Sequence, residues 1–193
     1  MTIVRAASQA GRAGLALRAE TERQAEAALV PAFSSVYEFW CYDRDGNLKW
    51  YEKCHNLVVN VGLNDLLDKY FKGSTYTAAF YVGLTDGTPT VAAGDTMASH
   101  AGWTEVTAYD EANRQTLTLG SVSSQAVNNS ASKATFTIDT NSTTIGGAFV
   151  TTNNTKGGST GTLYGAAAFT GGDKTLDDGD TLAVQINLSA AAA

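Results

Sequence analysis

The strongest constraint on this chain is the alternation in its last third. In Thr181-Leu182-Ala183-Val184-Gln185-Ile186-Asn187-Leu188-Ser189, the residues Leu182, Val184, Ile186 and Leu188 share one face. Thr181, Gln185, Asn187 and Ser189 share the other. A period of two is that of a half-buried strand, not of a helix. From residue 132 onward the pattern repeats as short alternating runs parted by turns of Gly, Asn, Asp, Ser or Thr. The solvent-side residues are mostly uncharged. Such a chain works by shape and surface more than by acid–base chemistry.

The charge distribution narrows the partners. Only 17% of residues are charged and the net charge is −6. Residues 1–30 carry four Arg against three Glu, whereas residues 75–193 carry four Lys or Arg against ten Asp or Glu. An acidic β body argues against a nucleic-acid groove, which needs clustered cations. No apolar run reaches the ~18 residues of a membrane-spanning helix. Arg5, Arg12 and Arg18 interrupt every candidate signal-peptide core, so assembly in a cytoplasm is expected. The Asn-x-Ser/Thr sequons at Asn128, Asn141, Asn153 and Asn187 are what a Thr- and Asn-rich chain yields by chance.

Two parts are expected: an N-terminal arm over residues 1–33 and a β-sandwich domain over residues 34–193. The arm is rich in Ala, Arg, Glu and Gln and lacks aromatic residues up to Pro31, which ends it. Its alanine stripe is too thin to bury much surface alone, so it reads as poorly ordered in isolation and helical when docked. Arg5, Arg12, Arg18 and Arg23 are its candidate partner-binding residues. A tail without a role is the plainer alternative.

Residues 35–58 predict a β-hairpin. A two-residue turn centred on Asp45-Gly46 would pair Trp40 with Tyr51, Tyr42 with Lys49, and Glu38 with Lys53 as an ion pair. It would also set Cys41 opposite Trp50 and Cys54 opposite Tyr37. The two sulfurs would then lie roughly 13 Å apart, too far for a disulfide. Residues 60–73 predict an amphipathic helix, with Leu63, Leu66, Leu67, Tyr70 and Phe71 as an apolar stripe, packed across an end or face of the sheet. Asn60 is its expected N-cap and Gly73 its stop. Further strands are expected at residues 78–84, 104–108, 114–119, 132–138, 146–152, 162–169 and 181–188, with turns at 85–89, 153–161, 171–174 and 177–180. Residues 92–103 read as a loop with one helical turn capped by Asp95. The pattern is that of a mainly-β, jelly-roll-like sandwich.

Motifs for chemistry fail on spacing. Asp43-Arg44-Asp45-Gly46-Asn47 resembles a calcium loop, but Gly46 stands at position four and Cys54 where a Glu is needed. Asp177, Asp178 and Asp180 suit a solvated hairpin tip better than a cation site. Cys54 and His55 are adjacent on a strand and so point to opposite faces. Asp95, Ser99 and His100 form a triad only if they converge, and no Gly-x-Ser-x-Gly elbow is present. Gly157-Gly158-Ser159-Thr160-Gly161 precedes a strand, not the helix that a phosphate loop needs. Two Cys and two His are too scattered for zinc. No catalytic residue, cofactor or metal is expected.

Several segments together resemble a tailed-bacteriophage structural protein. They are the run from Asn56 to Leu67, the run from Ala79 to Pro89, the run from Ala93 to Glu105, Ser130 to Ile138, and Gly146 to Phe149 with Lys156 to Gly165. They span about residues 50–190. The resemblance implies a virion component, most like a capsid decoration (cement) protein. It implies the major capsid protein as partner, a homo-oligomeric state (dimer or trimer), and no nucleic-acid or membrane partner. A tail, neck or fibre-associated component is the alternative within a virion. A carbohydrate-binding module is the alternative of another class, with Trp40, Trp50, Trp103 and the tyrosines as the sugar platform.

Overall fold

The computed structural model describes residues 32–76 and 79–191. Within them Ser34–Ser189 forms one compact unit. Arg5, Arg12, Arg18 and Arg23, and with them nearly all of the expected arm, lie outside the described residues, as does Ala78.

The chain is a mainly-β sandwich with one helix among the described residues. In chain order the elements are β1 (Ala32–Tyr42), β2 (Leu48–Val58), α1 (Asn60–Phe71), β3 (Tyr81–Thr85), β4 (Glu105–Val106) and β5 (Gln115–Thr116). Then come β6 (Ala126–Asn128), β7 (Ala134–Thr137), β8 (Thr143–Ile145), β9 (Gly147–Thr151), β10 (Leu163–Ala168), β11 (Lys174–Leu176) and β12 (Thr181–Ala191). The main sheet runs β4-β3-β9-β10-β2-β1-β12-β6, with β5 beside β3 and β7 beside β12. β8 and β11 form a separate two-stranded ribbon. β2 joins the two layers: it pairs with β1 from Leu48 to His55, and with β10 through Asn56, Leu57 and Val58.

The alternation in β12 does what its period requires. Leu182, Val184 and Ile186 are buried, with the small Ala183, while Thr181, Gln185 and Asn187 stay half-buried, as does Leu188 further along the strand. Leu182 faces Phe136 and Val184 faces Ala134 across β7, then Asn187 to Ser189 pair with β6. Between the two partners the buried Asn129 fills the gap. Its Nδ2 donates to the Val184 carbonyl at 3.2 Å, and its Oδ1 accepts from the Ile186 N–H at 2.7 Å. A buried backbone group without a partner costs a few kcal/mol, and this amide removes two of them. Tyr37, Phe39 and Cys41 of β1 add to the core. Phe39 meets Phe169 edge-on at 4.7 Å.

The hairpin register is as expected from Val36↔His55 to Cys41↔Trp50, but the turn is not. Asp43 and Asn47 close a loop of three residues. The Asp43 carboxylate accepts the N–H groups of Asp45 and Asn47, and Gly46 takes φ +82°. This is a turn followed by a left-handed glycine, which adds one residue relative to a two-residue turn. The register therefore shifts after Cys41, and Tyr42 faces Leu48 instead of Lys49. Lys49, left without a strand partner, reaches the buried Asp180. Nor do Glu38 and Lys53 form the expected ion pair: Glu38 holds Tyr51 and Asn187 instead.

Cys41 and Cys54 are free and buried. Burial pushes both thiols up to about 12. Residues 92–103 contain no helical turn. The Asp95 carboxylate instead accepts from the Ala92 N–H and, on the same oxygen, from the Trp103 indole.

Candidate docking surface

Helix α1 lies on the sheet the opposite way round from its hydrophobic pattern. Leu63, Leu66, Leu67, Tyr70 and Phe71 are 36%, 37%, 55%, 80% and 75% exposed, and Gly62 is the residue of α1 that is buried. The cause is a backbone contact. A Cβ on Gly62 would stand 2.5 Å from the Tyr164 carbonyl oxygen of β10, so only glycine permits this approach. The entry to the helix is pinned there as well. The Val59 N–H donates to the Tyr164 carbonyl at 3.2 Å, and the Asn60 N–H to the Ala93 carbonyl at 2.9 Å. Val59 is fully buried among Met97, Trp103, Phe149, Leu163 and Ala166. With Gly62 facing inward, the half-buried Asp65, Asp68 and Lys69 occupy the near sides, Leu67, Tyr70 and Phe71 point outward, and Leu63 and Leu66 are about a third exposed.

Of the two end signals, the start differs from expectation and the glycine stop is as expected. Val59, not Asn60, is the N-cap, and its side chain has no acceptor to cap the helix; the Asn60 N–H donates to the Ala93 carbonyl instead. The helix ends at Phe71, and Gly73 adopts φ +71° just beyond it.

Beside α1 runs an open groove of about 820 Å³. Val61, Leu67 and Phe71 form its helix wall, and Thr96, Thr162 and Leu163 the opposite one. That opposite wall continues into residues 153–161, which a buried ion pair holds in shape. The Arg114 guanidinium is fully buried and meets the Glu105 carboxylate twice, at 2.8 and 2.7 Å. It also donates to the carbonyls of Asn153 and Gly158. Glu105 further accepts the Gly157 N–H at 3.0 Å. A buried charge pair persists only with such full satisfaction. Neither residue was singled out by the sequence, since their pairing depends on the fold.

The other groups considered for chemistry are tied into the fold. His100 stacks on Trp103 at 3.7 Å and its Nδ1 contacts the Trp103 carbonyl. Asp95 binds Ala92 and Trp103, and Ser99 is exposed, so the three do not make a relay. Cys54 is buried while His55 is exposed. Asp178 pairs with Arg44 and Asp180 with Lys49. Gly157 and Gly161 take positive φ in a loop between strands. Trp103 is buried and Trp50 packs on Phe169, so the three tryptophans do not share one face. Among the described residues no cluster of His, Cys, Asp or Glu is placed to hold a metal, and no helix is long and apolar enough to cross a membrane.

No protein-family model, curated protein or solved structure matches this chain.

Proposed function

We propose that this chain is a non-enzymatic virion protein of a tailed phage, assembled in the host cytoplasm. It binds the outer surface of the assembled head and bridges major capsid subunits. The observation that supports this reading is the outward apolar face of α1. Five large apolar side chains, contiguous on one helix and rimmed by Asp65, Asp68, Lys69 and Lys72, make a patch of the kind that marks protein interfaces. The resemblance carried by residues 50–190 supplies the partner. Binding the assembled lattice and not the free subunit shifts the balance against disassembly by mass action. Many copies on a symmetric lattice add avidity. Residues 1–33 act as a second anchor, with Arg5, Arg12, Arg18 and Arg23 pairing with partner carboxylates.

Quantitative mass spectrometry of purified particles tests this assignment. A head protein is present in hundreds of copies, a tail, neck or fibre component in at most a few dozen. Deleting residues 2–30 should leave the strand signal in circular dichroism unchanged and sharply reduce occupancy on purified heads. Equal occupancy would make the arm a passive tail.

A further inference from the structure

We propose that the outer face of β1 and β2 around Trp40 and Tyr51 is a carbohydrate-binding platform that takes a pyranose-containing polysaccharide. The two residues are cross-strand partners. Their rings lie 5.2 Å apart, tilted by 51°, and Tyr51 is 45% exposed. A pyranose has an apolar face of C–H groups and a rim of hydroxyls. A tilted aromatic pair offers that apolar face a surface rich in π density.

The rim would meet groups already held in place. Gln185 donates to Asn187 at 2.8 Å, Asn187 donates to Glu38 at 2.8 Å, and Tyr51 donates to Glu38 at 2.6 Å. Glu38 thus uses one lone pair on each oxygen and keeps the others for ligand hydroxyls. Lys133, whose Nζ stands 4.6 Å from the centre of the half-buried Trp40 ring, covers one face of it, so the sugar stacks first on the exposed Tyr51 ring and displaces the ammonium to reach that face of Trp40. Because carboxylate and amides are fixed before binding, little side-chain freedom is lost on contact. A protein partner would need a broader apolar patch than two rings provide. The polar, hydrogen-bonded rim suits hydroxyls.

The platform is separate from the face of α1. Tyr51 precedes the end of β2 at Val58 by seven residues, roughly 23 Å of strand. A molecule docked through α1 therefore leaves Trp40 and Tyr51 accessible, and the two readings can fail independently.

Electrophoresis of the full-length native protein decides the matter, using gels that each contain mannan, glycol chitin, hydroxyethylcellulose, arabinoxylan or alginate, and a gel with none. The expected result is retardation in at least one polysaccharide. Trp40→Ala and Tyr51→Ala each weaken it about tenfold or more, while the Leu67→Ala/Phe71→Ala protein is retarded like the parent. Should Trp40→Ala fail to fold, Tyr51→Ala, at a solvent-facing position, carries the test. Unaltered mobility in every gel, or retardation that survives both aromatic substitutions, overturns the proposal.

Discussion

Replacing Leu67 and Phe71 together by alanine separates folding from docking. The residues are 55% and 75% exposed, four positions apart on α1, and both line the groove. Full burial of such side chains is worth roughly 1.5–3 kcal/mol each. The area still exposed leaves about 1 kcal/mol to be gained at Leu67 and about 2 kcal/mol at Phe71 when a partner covers them. The sum, about 3 kcal/mol, is roughly a hundredfold in Kd, and coupling between neighbours at this spacing shifts it by about 1 kcal/mol. Folding should hardly respond, because surface substitutions of this kind fall within about 0.5 kcal/mol each. At 2–4 °C per kcal/mol for a chain of this size, Tm should move by less than about 4 °C. Differential scanning calorimetry of the isolated protein and sedimentation with purified heads give the two readouts. Had the stripe been core, the same changes would cost at least about 5 kcal/mol, and Tm would fall by about 10 °C or more. A fall of that size, or undiminished binding to heads, refutes the reasoning.

Gly62→Ala should destabilise the fold by about 1–3 kcal/mol despite the higher helix propensity of alanine, since α1 must lift off Tyr164; an unchanged or raised Tm would show that the contact is loose. Arg114→Met leaves the Glu105 carboxylate buried without its cation. It should cost about 3–5 kcal/mol, a Tm lower by about 6–20 °C in calorimetry, whereas a drop under about 3 °C would contradict a keystone role. Cys41 and Cys54, with thiols pushed up to about 12, should resist iodoacetamide at pH 8 in the native protein and react once it is unfolded in urea. Mass spectrometry counts the adducts, and rapid native labelling of either cysteine speaks against the packing described.

What could be read from the sequence was whatever depends on local period. The alternation in β12 and the hairpin pairing from Val36 to Cys41 follow from side-chain alternation alone. The helix was legible as an element for the same reason. Which face it buries was not, because that is set by a distant backbone contact between Gly62 and Tyr164. A glycine inside a helical pattern was the available signal, since such a residue often marks close approach. The strands β6, β8 and β11 are three residues each, too short to show a period, and β11 begins within the expected turn at residues 171–174. The hairpin turn was misjudged by one residue because an Asp43 carboxylate that gathers two N–H groups favours a longer loop than Asp-Gly alone suggests. The Arg114–Glu105 pair joins residues nine apart through a fold-dependent path, and nothing in their spacing announces it.

The most direct test of the account is a cryo-electron-microscopy reconstruction of the phage particle that carries this protein. The account predicts the β-sandwich as outer-surface density at hundreds of copies per head, with the Leu63, Leu67 and Phe71 face of α1 turned against the capsid shell. Density confined to the tail or neck, or a head-bound sandwich whose α1 faces solvent, would contradict it.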